Sequence, residues 1–155
     1  MNTRLCLSML LLSLIGATIT YAQGEKKPRT VADYKPRTLR ELTGAMPEPH
    51  GELFPSRVKV VYGGKQRPLI DDKRNVIVSW ANQFAGMPEF YTAPYQTELL
   101  FTEGTENYWL AVRKELLERE WKDGEAVELC IIKMGNVKIG DALEPVLLVE
   151  KLIAE

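Results

Sequence analysis

The sequence predicts a mainly β domain with two helices. Five stretches either alternate apolar and polar residues or run continuously in aliphatic residues, the patterns of half-buried and fully buried strands. Two further stretches repeat apolar residues at helical spacing. Glycine-containing turns at Gly63-Gly64, Glu103–Glu106, Asp123-Gly124 and Gly135-Asn136 punctuate the pattern.

In order along the chain, Arg57–Tyr62 places Val58, Val60 and Tyr62 on one face and reads as the first strand. Gly63-Gly64 ends it in a turn, where positive φ costs glycine nothing. Leu69 and Ile70 start a short extended piece. The segment 71–86 fits two patterns. Ile77, Trp80, Ala81 and Phe84 have the spacing of a helix face, with Asp71 or Asp72 as N-cap and Gly86 as stop. Val76, Val78 and Trp80 alternate as in a strand. The helical pattern runs longer. Met87–Pro94 reads as a loop. Tyr95–Thr102 and Asn107–Val112 form a hairpin around Glu103–Glu106. Arg113–Lys122 reads as the second helix, with Leu116, Leu117 and Trp121 on one side and Glu115–Arg119 and Glu118–Lys122 as charge pairs. Ala126–Met134 and Glu144–Ile153 are the last two strands, joined by a loop from Gly135 to Gly140.

A helix between the third and fourth of five strands resembles the OB-fold, a five-stranded Greek-key barrel. The segment Tyr108-Trp-Leu-Ala-Val112, the helix after it, and Asp123-Gly-Glu-Ala-Val-Glu-Leu129 are similar to small exported bacterial proteins of unknown function with an OB-fold-like barrel. The resemblance spans roughly residues 55–153. It implies a five-stranded OB-like small barrel with a binding surface on one face and its rim loops, and it names no ligand. An α+β roll or an SH3-like barrel accommodates the same element order.

The first 22 residues have their own logic. Arg4 is followed by an apolar run from Leu5 to Ile15 and by Thr20-Tyr-Ala22, a small residue at a cleavage position. This is the pattern of a secretory signal peptide at 1–22, and it places the protein in the periplasm or outside the cell. The competing reading is a retained N-terminal anchor, since Leu5–Ala22 is long enough to span a thin bilayer; cleavage leaves no stable membrane span. Residues 23–52 are charged and broken by Pro28, Pro36, Pro47 and Pro49, and read as a flexible arm. The single globular domain then runs from 53 to 155.

Composition excludes several classes. The signal segment carries one of the 20 basic residues and none of the 21 acidic ones, so its removal leaves a net charge of −2. That is no footprint for nucleic acid. Lys26, Lys27, Arg29, Lys35, Arg37 and Arg40 cluster locally and read as solvated positions of the arm. Cys130 is the one cysteine of the two that survives cleavage; it lies in an apolar strand and reads as a small buried hydrophobe.

The search for chemistry finds little. His50 is the chain's single histidine and sits in a proline-rich segment, which leaves a transition metal too few ligands. Neither Ser56 nor Ser79 lies in a GxSxG elbow, no phosphate loop occurs, and no cofactor is implied. The remaining candidates are aromatic. Tyr91 and Tyr95 flank a loop, and Tyr108 and Trp109 face opposite ways on one strand, so one of the two points outward. Outward aromatics on a barrel face suit stacking on a sugar or peptide; core packing is the other use of each. The expected function is an exported, non-catalytic binding or accessory module for a protein, peptide or glycan partner. The alternatives are a hydrolase with an unrecognised carboxylate pair, such as Glu98 and Glu106, and a membrane-anchored structural protein of the envelope.

Overall fold

In the computed structural model, the described residues are 28–44 and 53–153. In chain order they form a 3-10 turn (Val31–Asp33), β1 (Lys35–Pro36), α1 (Leu39–Gly44), β2 (Ser56–Pro68), α2 (Asp71–Phe84), α3 (Pro88–Thr92), β3 (Tyr95–Glu103), β4 (Glu106–Arg113), α4 (Lys114–Leu117), β5 (Ala126–Ile139) and β6 (Ala142–Ile153). The signal segment, the first residues of the arm and His50 lie outside them. The molecule is mainly β, as expected, with six strands and four α-helices among the described residues instead of five and two.

The strands pair in the order β1-β2-β3-β4-β6-β5, and β5 pairs back onto β2, so the five long strands form a ring with β1 added beside β2. The β1–β2 and β4–β6 pairs are parallel and the others antiparallel. The ring closes because β2 serves two partners in succession. Ser56–Val61 pairs with β5, and Val61–Pro68 pairs with β3. The register shifts between Tyr62 and Gln66, where Gly64 takes φ +67°. A Cβ there would lie 2.7 Å from Cγ of Asp123, so only glycine fits. Gly63-Gly64 therefore does not end the strand, as its sequence suggested; it bends the strand from one neighbour to the next.

Two apolar clusters sit on the two faces of the ring. The inner one contains Val58, Val60 and Tyr62 of β2, Leu99 and Phe101 of β3, Tyr108 and Leu110 of β4, and Leu129, Ile131, Leu147 and Val149 of β5 and β6. The outer one packs Ile77, Trp80 and Ala81 of α2 onto Cys130, Ile132, Met134, Val146 and Leu148. β5 and β6 are thus covered on both faces, which is why they read as continuous aliphatic runs instead of alternating ones. Each fully buried aliphatic side chain contributes roughly 1.5–3 kcal/mol relative to exposure, so the covered strands are also the best-anchored part of the ring.

The segment 71–86 is helical. Its N-cap is Ile70 with no side-chain cap, and Asp71 and Asp72 lie in the first turn instead, where their charge still favours the helix dipole. Gly86 stops the helix at φ +71°, and its N–H and that of Ala85 both donate to the Ala81 carbonyl.

Four local expectations are corrected. Residues 28–44, assigned to the flexible arm, are folded onto the ring: Tyr34, Leu39 and Leu42 are buried, the last two in the inner cluster. The second helix shrinks from Arg113–Lys122 to the single turn α4. Helix nucleation is costly, and Arg119 pairs with Glu125 beyond the turn instead of with Glu115. Met87–Pro94 contains the short helix α3, with Pro88 in its first turn. The loop assigned to 135–140 is strand up to Ile139, and β5 and β6 meet in a tight turn at Gly140-Asp141.

Candidate functional site

Where β2 passes from β5 to β3, the surface carries a groove of about 740 Å³. Val61 sits at the handover and is in register with both Thr102 and Ala126. The groove runs from Lys59–Val61 past Thr102–Gly104 at the β3–β4 turn, and past Arg119 and Glu125 of the α4–β5 connection, to Ala126–Glu128 and Leu152–Ile153. Its aliphatic lining comes from Val60, Val61, Ala126, Val127, Leu152 and Ile153, and no aromatic residue lines it.

Most of the charges around the groove are already committed. Arg119 donates to Glu125 Oε1 and lies 4.4 Å over the Trp121 ring. Glu125 also accepts from the Lys122 N–H at 3.3 Å; that backbone bond and then Arg119 hold its carboxyl below the usual range. Glu103 accepts from the N–H groups of Leu39 and Arg40 and so caps α1. Glu128 is 2.9 Å from Arg57 Nε. Lys59 has no ion-pair partner among the described residues. The groove therefore presents an aliphatic floor, a polar rim and one uncommitted cation.

The four aromatic candidates are not brought together. Tyr108 points into the ring and donates to Glu106; burial and then that carboxylate push its hydroxyl up to about 12. Trp109 points outward, half-buried, with the Arg67 guanidinium 4.3 Å over its ring. Tyr95 is buried in the outer cluster, where burial and then Glu150 push its hydroxyl up. Tyr91 of α3 packs edge-on to Trp80 at 5.3 Å. None of them lines the groove. Glu98 and Glu106 stand at opposite ends of the β3–β4 hairpin: Glu98 is opposite Ala111, and Glu106 is opposite Glu103.

Sequence reasoning missed a buried charge cluster on the outer face. Glu98 is fully buried and accepts from Lys73 Nζ at 2.6 Å and from Arg67 Nε at 2.7 Å. Lys73 Nζ also reaches Glu144 at 3.1 Å and the Trp109 carbonyl at 3.2 Å. A signal was present, since Lys73 lies four residues before Ile77 and seven before Trp80 and so shares their apolar face. The groove left no such signal, because its walls come from four strands far apart in sequence. Among the described residues, no group of three or more His, Cys, Asp or Glu is placed to hold a metal ion, and no helix is long and apolar enough to cross a membrane. Cys130 is fully buried, and burial pushes its thiol up. No family model, curated protein or solved structure matches the chain.

Proposed function

We propose that the chain is an exported, non-catalytic binding module with an OB-like barrel, which holds an extended segment of a protein partner in the groove beside Val61. The observation that carries this reading is the groove itself. Its volume falls in the range of ligand sites, its floor is aliphatic, and its rim is polar. A glycan site calls for an aromatic stacking platform, and this groove contains none. The outward Trp109 is already stacked by Arg67. An extended peptide instead places alternate apolar side chains on a floor of this kind and keeps its other side chains in water.

The OB-like description rests on two features: the closed pairing of the five long strands, and α4 lying between the third and fourth of them. The groove lies at the end that carries the β3–β4 turn, away from the β2–β3 and β5–β6 connections that rim the ligand face in OB-folds. Export rests on the sequence of residues 1–22. The mass of the protein recovered outside the cytoplasm tests it, with cleavage after Ala22 expected.

An amide chemical-shift titration tests the site, using a library of capped peptides that alternate aliphatic and polar residues and, separately, chito-oligosaccharides. The expected result is peptide-induced shifts at Val61, Thr102 and Ala126 that Val61→Glu abolishes. Sugar-induced shifts at Trp109 with a silent groove would overturn the peptide reading.

A further inference from the structure

A second, smaller cavity lies beside β1, and its chemistry differs from that of the groove. It has a volume of about 330 Å³ and is lined by Asp33, Lys35 and Arg37 on one side and by Leu53, Phe54 and Pro55 on the other. Lys35 and Arg37 are two residues apart on extended chain, so their side chains fall on the same side. Among the described residues neither forms an ion pair. The Asp33 carboxylate accepts from the N–H of Thr30 at 2.6 Å and from its hydroxyl at 2.9 Å. Two cations therefore line the cavity beside the single carboxylate of Asp33 and outnumber it.

The guanidinium of Arg37 is held in place. Its Nη1 donates to Ser56 Oγ at 3.0 Å, and its Cζ lies 5.7 Å over the Phe54 ring. Ser56 Oγ in turn donates to the Phe54 carbonyl at 2.6 Å. Phe54 is the one non-glycine residue among those described with positive φ, at +44°, a conformation that costs a side chain energy and persists only where surrounding contacts enforce it. Phe54 is held there by packing on the inner cluster and by the bonds that the Leu53 and Pro55 carbonyls accept from the Lys133 and Lys35 N–H groups, and its carbonyl and ring touch the groups that orient Arg37. β1 itself is paired by β2 alone, but Lys35 and Arg37 spend their N–H groups on the Pro55 and Arg57 carbonyls and Pro36 between them has none, so the site's recognition chemistry lies in its side chains.

We propose that this cavity binds an acidic peptide segment, with one Glu or Asp carboxylate seated between Lys35 and Arg37. A positioned guanidinium recognises a carboxylate with two parallel hydrogen bonds, and Lys35 adds a point charge. The cavity is at the small end of ligand sites, which suits the head of one side chain. The apolar wall of Leu53, Phe54 and Pro55 receives the side chain next to that carboxylate. The proposal is independent of the groove beside Val61.

The test is a calorimetric and amide-shift titration of the purified protein with three probes: a capped octapeptide alternating Glu and Val, the same peptide with Gln for Glu, and inorganic phosphate. The Glu peptide is expected to shift the amides of Lys35, Arg37 and Phe54. It is expected to bind about tenfold more tightly than the Gln peptide, to weaken as salt rises, and to lose about tenfold in Lys35→Gln. Lys35 is exposed, so that variant leaves the fold intact even where Arg37→Gln disturbs Ser56 and Phe54. Val61→Glu is expected to remove any shifts that the peptides cause at Val61, Thr102 and Ala126 and to leave those at Lys35, Arg37 and Phe54 in place, which separates this cavity from the groove. Equal binding of the two peptides, phosphate binding as tight as the Glu peptide, or the absence of shifts at these three amides would each overturn the proposal.

Discussion

Glu98 Oε1 is 2.6 Å from Lys73 Nζ, and its Oε2 is 2.7 Å from Arg67 Nε, in a region where Glu98 and Lys73 are both cut off from water. Removing one member of such a group leaves its partner charged without compensation, which costs more than the intact pair contributes. Glu98→Leu is therefore expected to destabilise the protein by about 3 kcal/mol, at the lower end of the usual 3–5, because Glu144 still reaches Lys73. The urea midpoint measures this. Combining it with Lys73→Met is expected to recover most of the loss, and a double variant no more stable than Glu98→Leu alone would show that the cluster contributes something other than charge compensation. The sequence placed Lys73 on the apolar face of α2 but could not name its partner, since Glu98 is 25 positions away on another element.

At the scale of elements, local patterns worked where a segment carried its own stop signal and failed where a neighbour decided. α2 ends at Phe84, two residues before the Gly86 that its sequence marked as the stop, and no heavy atom lies within 4 Å of where a Cβ on Gly86 would be. Gly86→Ala therefore tests the backbone alone. A loss of about 1 kcal/mol is expected from placing a side chain at positive φ, read from the thermal midpoint; an unchanged midpoint would mean that the helix end rearranges at no cost. α4 shows the opposite case. Glu115–Arg119 and Glu118–Lys122 have favourable helical spacing, worth only a few tenths of a kcal/mol each. The chain instead turns after Leu117, Trp121 Nε1 donates to the Leu116 carbonyl, and Arg119 goes to Glu125. Burial of Trp121 against Tyr62 and Phe101, with centroids 5.5 and 5.6 Å away, outweighs the charge pairs.

At the scale of the whole molecule, three of the described tyrosines link stability to alkaline pH. Burial raises the hydroxyls of Tyr34, Tyr95 and Tyr108 above the ordinary value, that of Tyr108 to about 12. The folded chain then holds these protons more tightly than the unfolded one. Their contribution to stability is present in full below pH 10, the ordinary tyrosine value, and is lost as pH rises through the folded values. Lys133 works in the other direction. It is buried, with Nζ donating to the Leu42 carbonyl at the end of α1, and desolvation lowers its value. The unfolded chain binds the extra proton, so this contribution grows as pH approaches the ordinary lysine range. The urea midpoint is expected to fall from pH 10 to 12, and more shallowly in Tyr108→Phe. Identical slopes in the two proteins would exclude Tyr108 as a source of the loss.

The sequence by itself determined the mainly β class, the β3–β4 hairpin, the burial of Cys130 and the opposite facing of Tyr108 and Trp109. Each of these follows from periodicity or turn chemistry within a few residues. It left 71–86 between helix and strand until packing on β5 and β6 made it α2. Only the tertiary structure decided that β2 divides between β5 and β3, that residues 28–44 fold onto the ring, and that a groove and a cationic cavity open on its surface. The physical reason is the range of the interactions. Period and polarity tell a strand which face to bury, but hydrogen bonding and packing with segments as distant as Arg57 and Cys130, or Arg29 and Glu150, choose its neighbour. Both cavities lie where such choices meet.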